Sequence, residues 1–193
     1  VQIIQSVRQG IDDWFSGKIK ITDIDLNQKT LDVIKHNKKY SGINVETHHD
    51  ASLSTLKPTL SVKTRLGVDK PIVETWIPNL LSQPIDFLTI HGRTLKQAYA
   101  GQADWGEIQK VVKLAKGTGI KVFGNGDVQN QKQGLEYCQK YGVDGVLIGR
   151  AAGGNPWAFN NHTATPQEKF SAMLLHAQIF AQVQESFDSY FRQ

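Results

Sequence analysis

The sequence is poor in the features that mark secreted and membrane proteins. Cys138 is the only cysteine among 193 residues, so an intrachain disulfide is excluded and a reducing, cytoplasmic setting is expected. No apolar run approaches the roughly 20 residues of a membrane-spanning helix, and the opening Val1-Gln2-Ile3-Ile4 does not resemble a signal peptide. We therefore expect neither a disulfide scaffold nor a membrane anchor.

Length and charge set further bounds. A complete (βα)8 barrel needs about 250 residues, so 193 residues cannot contain an ordinary one. The net charge of +4 is compatible with a nucleic-acid partner but does not by itself indicate one. The composition, 39% hydrophobic and 21% charged, is that of an ordinary globular chain.

The middle of the chain alternates short β-rich runs with helical patterns. Strands are predicted at about 59–65, 86–90, 119–123 and 144–148, and helices at about 72–81, 105–116 and 129–141, the second capped by Asp104. Strands that alternate with helices are typical of βαβ units, and therefore of a parallel sheet.

The two ends have a different character. The apolar residues of 1–15 fall close to one helical face, whereas 16–57 has no clear period, and we interpret that stretch as an insertion. Its His48-His49-Asp50 run is better explained as a solvated loop than as a metal site, so no metal is expected. After Thr165-Pro166, with a threonine cap and a first-turn proline, a long helix is predicted to about 191.

Each predicted strand ends in polar or glycine-rich residues. They are Lys63 and Arg65, then His91 and Arg93, then Asn125-Gly126-Asp127, then Gly149-Arg150. In parallel barrels the active site lies where strands end, and the loops after strands 7 and 8 often bind phosphate. Singly, each feature has an ordinary explanation: a turn glycine, a solvated lysine or a structural histidine. Four consecutive strands of this kind favour a functional site on strands 5–8 of a partial TIM barrel followed by an α-helical segment.

The motifs resemble those of tRNA-dihydrouridine synthases. Ser61-Val62-Lys63-Thr64-Arg65-Leu66-Gly67 is similar to the family's K-x-R-x-G segment. The run from His91-Gly92-Arg93-Thr94 through Gln97, Tyr99 and Gly101 to Ala103-Asp104-Trp105 resembles H-G-R-T…Q-x-Y-x-G-x-A-D-W. Gly124-Asn125-Gly126-Asp127, the stretch 145–151 and Asn155-Pro156-Trp157 complete the resemblance, in family order, from about 59 to 159.

The resemblance implies an enzyme that binds FMN, reduces it with NADPH and converts a tRNA uridine to 5,6-dihydrouridine. Carried over, Lys63 would stabilise negative charge at the N1–O2 edge of the flavin, and His91 would lie beside the ring and the base. The ribityl phosphate would be held by Asn125, Gly126, Asp127, Gly149 and Arg150. Arg93 would hold the architecture of the site or bind the RNA substrate. Residues 1–160 would be the C-terminal half of the barrel, and 161–193 the start of the helical domain that docks tRNA.

The sequence also departs from the family. The family's catalytic cysteine follows the fourth strand, which has no counterpart here, and Cys138 is predicted to be a small apolar residue within a helix. The N-terminal half of the barrel would be needed for a complete site, so the chain resembles a fragment that is inactive alone. Two alternatives stay open: a catalytically inactive module that binds tRNA or phosphate, and another FMN or sugar-phosphate barrel enzyme. A half barrel exposes two sheet edges, so we expect the isolated chain to dimerise or aggregate.

Overall fold

A computed structural model describes residues 1–18 and 57–191. Nearly all of the predicted insertion at 16–57, including His48-His49-Asp50, lies outside the described residues. The fold is α/β, with helices packed against a parallel sheet. No helix in the described ranges is long and apolar enough to cross a membrane.

The described strands form one parallel sheet in simple chain order, β1-β2-β3-β4. They are β1 (Ser61–Arg65), β2 (Phe87–His91), β3 (Lys121–Asn125) and β4 (Gly145–Leu147). A doubly wound sheet would reverse its strand order at a switch point, whereas a barrel wall advances one strand at a time. The order confirms the predicted partial barrel.

The helices lie close to their predicted positions. They are α1 (Gln2–Phe15), α2 (Val73–Leu81), α3 (Trp105–Ala115), α4 (Gln131–Tyr141) and α5 (Pro166–Phe191). Two short 3₁₀ helices, Arg150–Ala152 and Pro156–Phe159, follow β4; the sequence did not predict them.

Polar side chains fix where α3 and α5 begin. Asp104 caps α3 as predicted, because its carboxylate accepts a hydrogen bond of 3.0 Å from the Glu107 N–H. Thr165 and Glu168 form a reciprocal pair at the start of α5: the Thr165 hydroxyl accepts from the Glu168 N–H at 3.3 Å, and the Glu168 carboxylate accepts from the Thr165 N–H at 2.7 Å. This pair explains why the long helix starts where the Thr-Pro signal predicts.

The two faces of the sheet differ because side chains alternate along each strand. Leu88, Ile90 and Val122 pack into a core beneath the helices and are at most 2% exposed. The neighbouring positions, such as Lys63, Thr89 and Phe123, lie side by side in register on the opposite face. That face corresponds to the interior of a barrel.

Two strand boundaries were wrong in detail. β3 lies two residues later than the predicted 119–123, because Gly119 (φ 79°) belongs to a turn in which the Ile120 N–H donates to the Thr118 hydroxyl. Gly124 was predicted to end the strand but lies within it. A Cβ at Gly124 would come within 2.3 Å of the Trp105 ring, so the glycine makes room for the indole. β4 is shorter than predicted, spanning 145–147.

Helix α1 docks at the amino-terminal edge of the sheet. Arg8 donates to the Asp86 carboxylate at 2.5 Å and to the Pro84 carbonyl at 2.9 Å. Asp86 also accepts from the Leu60 N–H at 2.6 Å, which ties the helix to the start of β1. None of the residues of α1 is fully buried, so these polar contacts add to the packing of the half-buried Ile4 against the core.

Candidate functional site

The carboxyl ends of the strands bring the predicted site residues together. Arg65 pairs in register with His91, and His91 pairs with Asn125. The Asn125 amide donates to the Leu147 carbonyl at 3.2 Å, which joins β3 to β4 at the same edge. Side chains at paired positions point to the same face of a sheet, so one edge carries a row of polar groups.

A cleft of about 540 Å³ opens at this edge. It contains every residue predicted for cofactor or substrate binding: Lys63, His91, Arg93, Asn125, Gly126, Asp127, Gly149 and Arg150. It also contains Arg65, Tyr99, Val128, Gln129 and Ala151. The volume lies within the range of small-molecule sites, about 300–1,000 Å³. The four strand ends therefore lie around one cleft.

The charge of the cleft favours an anion. Lysine and arginine side chains line it from β1, from the loop after β2 and from the segment after β4, whereas Asp127 is the one carboxylate among its lining residues. Burial, and after it the positive charge of Arg65, lower the pKa of Lys63 from its ordinary value. Concentrated positive charge of this kind raises the local concentration of anionic ligands.

His91 is neutral at physiological pH. It is only 7% exposed. Burial lowers the pKa of His91 to about 4, and the charges of Arg65, Lys63 and Arg93 act in the same direction. A neutral imidazole carries one donor and one acceptor nitrogen, so His91 can hydrogen-bond a ligand without adding to the positive charge.

Gly126 and Gly149 differ in the space around their Cα atoms. Gly126 has φ 135°, and a Cβ there would lie 2.5 Å from the Ala103 Cβ, so its backbone must pass close to the loop after β2. The Trp105 indole N–H holds the Gly126 carbonyl at 3.0 Å. Gly149, in contrast, faces open space, because a Cβ there would meet nothing within 4 Å. Its backbone is accessible to a ligand in the cleft.

Arg93 and Asp127 point to each other rather than into open space. Arg93 is 2% exposed. Its Nη2 donates to both Asp127 carboxylate oxygens, at 2.9 and 2.8 Å, and its guanidinium also donates to the carbonyls of Ala100 and Gly101. Of the two roles predicted for Arg93, these contacts support the architectural one. They equally show that the Asp127 carboxylate is committed to neighbouring donors.

The cleft is also lined by Arg65 and Tyr99, to which the family resemblance assigned no role. Arg65 donates to the carbonyls of Thr94 and Ala98, at 3.0 and 3.3 Å, and so fixes the loop after β2. Tyr99 is 65% exposed, and its ring lies 5.0 Å from the guanidinium carbon of Arg150. The signal for Tyr99 was its place in the Q-x-Y-x-G run, where an exposed aromatic side chain in a loop has no role in a core.

Cys138 lies away from the cleft. It is half-buried in α4 and packs against the core beneath the sheet, and burial raises the pKa of its thiol. The prediction of a structural, apolar cysteine agrees with this position. Within residues 1–18 and 57–191, no group of three or more His, Cys, Asp or Glu side chains is placed to hold a metal ion.

Known proteins resemble this chain over most of its length. The family described as Dihydrouridine synthase (Dus) matches residues 45–191. A protein of Staphylococcus aureus (strain Mu50), named "Probable tRNA-dihydrouridine synthase", is 33% identical over 178 residues, which are 84% of this chain and 53% of that protein.

Two more relatives bear the same name. The Rickettsia conorii protein is 35% identical over 127 residues, covering 62% of this chain and 37% of its own length. The Aquifex aeolicus protein is 35% identical over 111 residues, covering 56% of this chain and 34% of its own length. The chain thus spans about half, or less, of the curated relatives it matches.

Proposed function

Because this chain belongs to the dihydrouridine synthase family, we propose that it forms the FMN-binding part of an enzyme that reduces tRNA uridine to 5,6-dihydrouridine with NADPH. The shared cleft at the carboxyl ends of β1 to β4 is the observation that carries the proposal. Since the chain covers about half of its relatives, cofactor, reductant and tRNA are proposals for the whole enzyme.

The groups in the cleft fit the phosphate of FMN. Arg150 offers a guanidinium, which suits the oxygens of a phosphate. Gly149 presents its backbone to open space, and Gly126 adopts a backbone conformation that leaves no room for a side chain. In this proposal Asn125, Gly126, the main chain of Asp127, Gly149 and Arg150 bind the phosphate.

The other end of the cleft fits a flavin ring. FMN, when bound, supplies the hydride chemistry between NADPH and the uracil C5–C6 double bond. Lys63, on the barrel-interior face of β1, would provide positive charge beside the ring. His91, neutral and buried at the end of β2, would donate one hydrogen bond there without adding a second positive charge. Arg65 and Arg93 would keep the loop after β2 in place behind the ring.

The rest of the active site would come from outside the residues present here. A proton donor for the base is needed, and Cys138 packs on the helical side of the sheet. We propose that an N-terminal barrel half supplies that donor and closes the cleft, that residues 1–160 form the other half, and that 161–193 begin the tRNA-docking helical domain. The exposed apolar side chains of α5, such as Phe170, Met173 and Leu174, suit a helix that packs in a larger bundle.

Flavin binding by the isolated chain tests the proposal. FMN fluorescence should be quenched on titration with the chain, and Arg150→Met should weaken binding by about ten- to a hundred-fold, the effect of losing a charge-assisted hydrogen bond. Lys121→Met is the matched control, because Lys121 lies at the opposite end of β3 and pairs with Asp144. Its affinity should equal that of the original chain.

The outcome also separates the alternatives. Binding of tRNA without flavin would favour an inactive RNA-binding module. Binding of phosphate esters with no preference for FMN would favour another phosphate-binding barrel. Activity is measured by mass spectrometry of tRNA oligonucleotide fragments from cells without the gene, in which dihydrouridine should fall at one or more positions. Unchanged dihydrouridine at every position would contradict the proposal.

A further inference from the structure

One carboxylate connects three loops at the mouth of the cleft. Asp127 accepts hydrogen bonds from Arg93 in the loop after β2 and from Arg150 after β4, the latter at 2.7 Å. It also accepts from the Ala103 N–H at 2.8 Å. No other acidic side chain of the described residues is bound to both arginines.

The backbone conformation of Asp127 indicates that its side chain has a specific role. Asp127 has φ 59°, a left-handed conformation that is unfavourable for residues with a Cβ but tolerated by Asp and Asn. Glycine would adopt it without cost. Asn could also adopt it, and Asn differs from Asp chiefly in charge. The presence of a carboxylate is therefore explained by the two guanidinium groups it holds.

The two arginines have different surroundings. Arg93 is almost completely buried, and a buried charge is costly unless it is paired. Arg150 has a side chain that is 60% exposed, and its guanidinium lies over the exposed Tyr99 ring. Asp127 thus neutralises the buried guanidinium and, with its other lone pairs, fixes the orientation of the exposed one.

We propose that Asp127 is a positioning residue: its carboxylate sets the direction of the Arg150 guanidinium and locks the loop 94–104 to the loop after β3 through Arg93. The identity of the ligand that Arg150 then meets, a phosphate ester, rests on the proposed function. The lock between the loops, which is the ion pair of Arg93 with Asp127, does not rest on the proposed function, because groups of the protein alone form it. Asp127 itself makes no side-chain contact with the ligand.

Amide hydrogen exchange tests the lock between the loops in the chain without ligand. In Asp127→Asn, the amides of 94–104 should exchange at least about ten-fold faster, because a neutral amide does not compensate Arg93. Asp144→Asn is the matched control: Asp144 also accepts from a main-chain N–H, that of Val122 at 2.8 Å, and pairs with Lys121, but far from the rim. It should leave 94–104 unchanged. Equal exchange in Asp127→Asn and the original chain would overturn the lock.

Flavin affinities test the orientation of Arg150. FMN and riboflavin differ only in the phosphate, so the ratio of their dissociation constants isolates the phosphate contact. Asp127→Asn should reduce the preference for FMN over riboflavin by about ten-fold, which corresponds to about 1.4 kcal/mol. Any weaker hold of the loop 94–104 on the ring affects both flavins equally and cancels in the ratio. In an Arg150→Met background the same substitution should have no further effect on the ratio, since the residue it acts through is gone.

The results distinguish this inference from the proposed function. If the original chain binds neither flavin, the proposed function fails while the exchange measurement still decides the lock. An additive loss of FMN preference in the Arg150→Met background would mean that Asp127 contacts the ligand directly, and would refute a positioning role. If Asp127→Asn does not fold, Arg93→Met/Asp127→Asn removes both charges of the buried pair, and the flavin ratio is measured on it.

Discussion

Gly124→Ala should destabilise the fold through Trp105, although it adds only one methyl group. The new Cβ would lie 2.3 and 2.5 Å from two atoms of the six-membered indole ring. Trp105 is 5% exposed. It cannot move freely, because the centroids of the Tyr137 and Tyr141 rings lie 4.5 and 5.3 Å from the centroid of its ring. Any displacement of the indole also strains its hydrogen bond to the Gly126 carbonyl.

The magnitude follows from these contacts. Overpacking of a core costs about 1–3 kcal/mol, and the loss of one neutral hydrogen bond costs about 1 kcal/mol. Replacing glycine by alanine returns about 0.4–1 kcal/mol by restricting the unfolded chain. The net expectation for Gly124→Ala is a loss of about 1–3 kcal/mol in the free energy of unfolding.

Urea denaturation followed by circular dichroism measures this loss. Gly10→Ala is the matched control, because a Cβ at Gly10 in α1 would meet nothing within 4 Å, and it should stabilise by about 0.5–1 kcal/mol. In a Trp105→Phe background, which lacks the two clashing atoms, Gly124→Ala should cost less than in the original chain. A Gly124→Ala midpoint equal to that of the original chain would refute the packing argument.

Further predictions concern pH, helix docking and association. The pKa of His91 in the folded chain, about 4, lies below its ordinary value of about 6.5, so the unfolded chain takes up the proton first and the free energy of unfolding should fall as pH drops from about 6.5 to about 4. In His91→Gln this fall should be smaller. An identical dependence of stability on pH in the two chains would count against a neutral His91. Asp86→Asn should increase hydrogen exchange in α1, because it removes the partner of Arg8, whereas Asp69→Asn, which removes an exposed surface pair with Lys96, should not. Among the described residues β1 and β4 are the edge strands of the sheet, so the isolated chain should self-associate in sedimentation velocity; a clean monomer with a cooperative melt would disagree with a half barrel.

The order of strands and helices was predictable because short-range sequence patterns determine it. The strands follow β-rich runs and the helices follow helical apolar patterns, and side chains of Asp104, Asn130 and Thr165 cap the starts of α3, α4 and α5. The carboxyl end of β3 was not predictable, because glycine and asparagine, the residue types of Gly124 and Asn125, are typical of turns. They remain in the strand for a tertiary reason, the Trp105 ring that packs against Gly124.

The sequence predicted which residues lie around the cleft, but it did not predict the contacts among them. Polar residues at four successive strand ends must meet at one edge of a parallel sheet, and so Lys63, His91 and Arg150 could be placed together. That Arg93 and Asp127, 34 positions apart, neutralise each other was not predictable, since it depends on how two loops cross. Asp127 therefore resembled a ligand residue in sequence, whereas its carboxylate faces other protein groups.

A crystal structure of the chain soaked with FMN tests the central claim most directly. We expect density for the phosphate within hydrogen-bonding distance of the Gly126 and Gly149 main chains and the Arg150 guanidinium, with the ring system next to Lys63 and His91. FMN bound at any other surface, or a phosphate in contact with the amino-terminal edge of the sheet near Lys121, would contradict it.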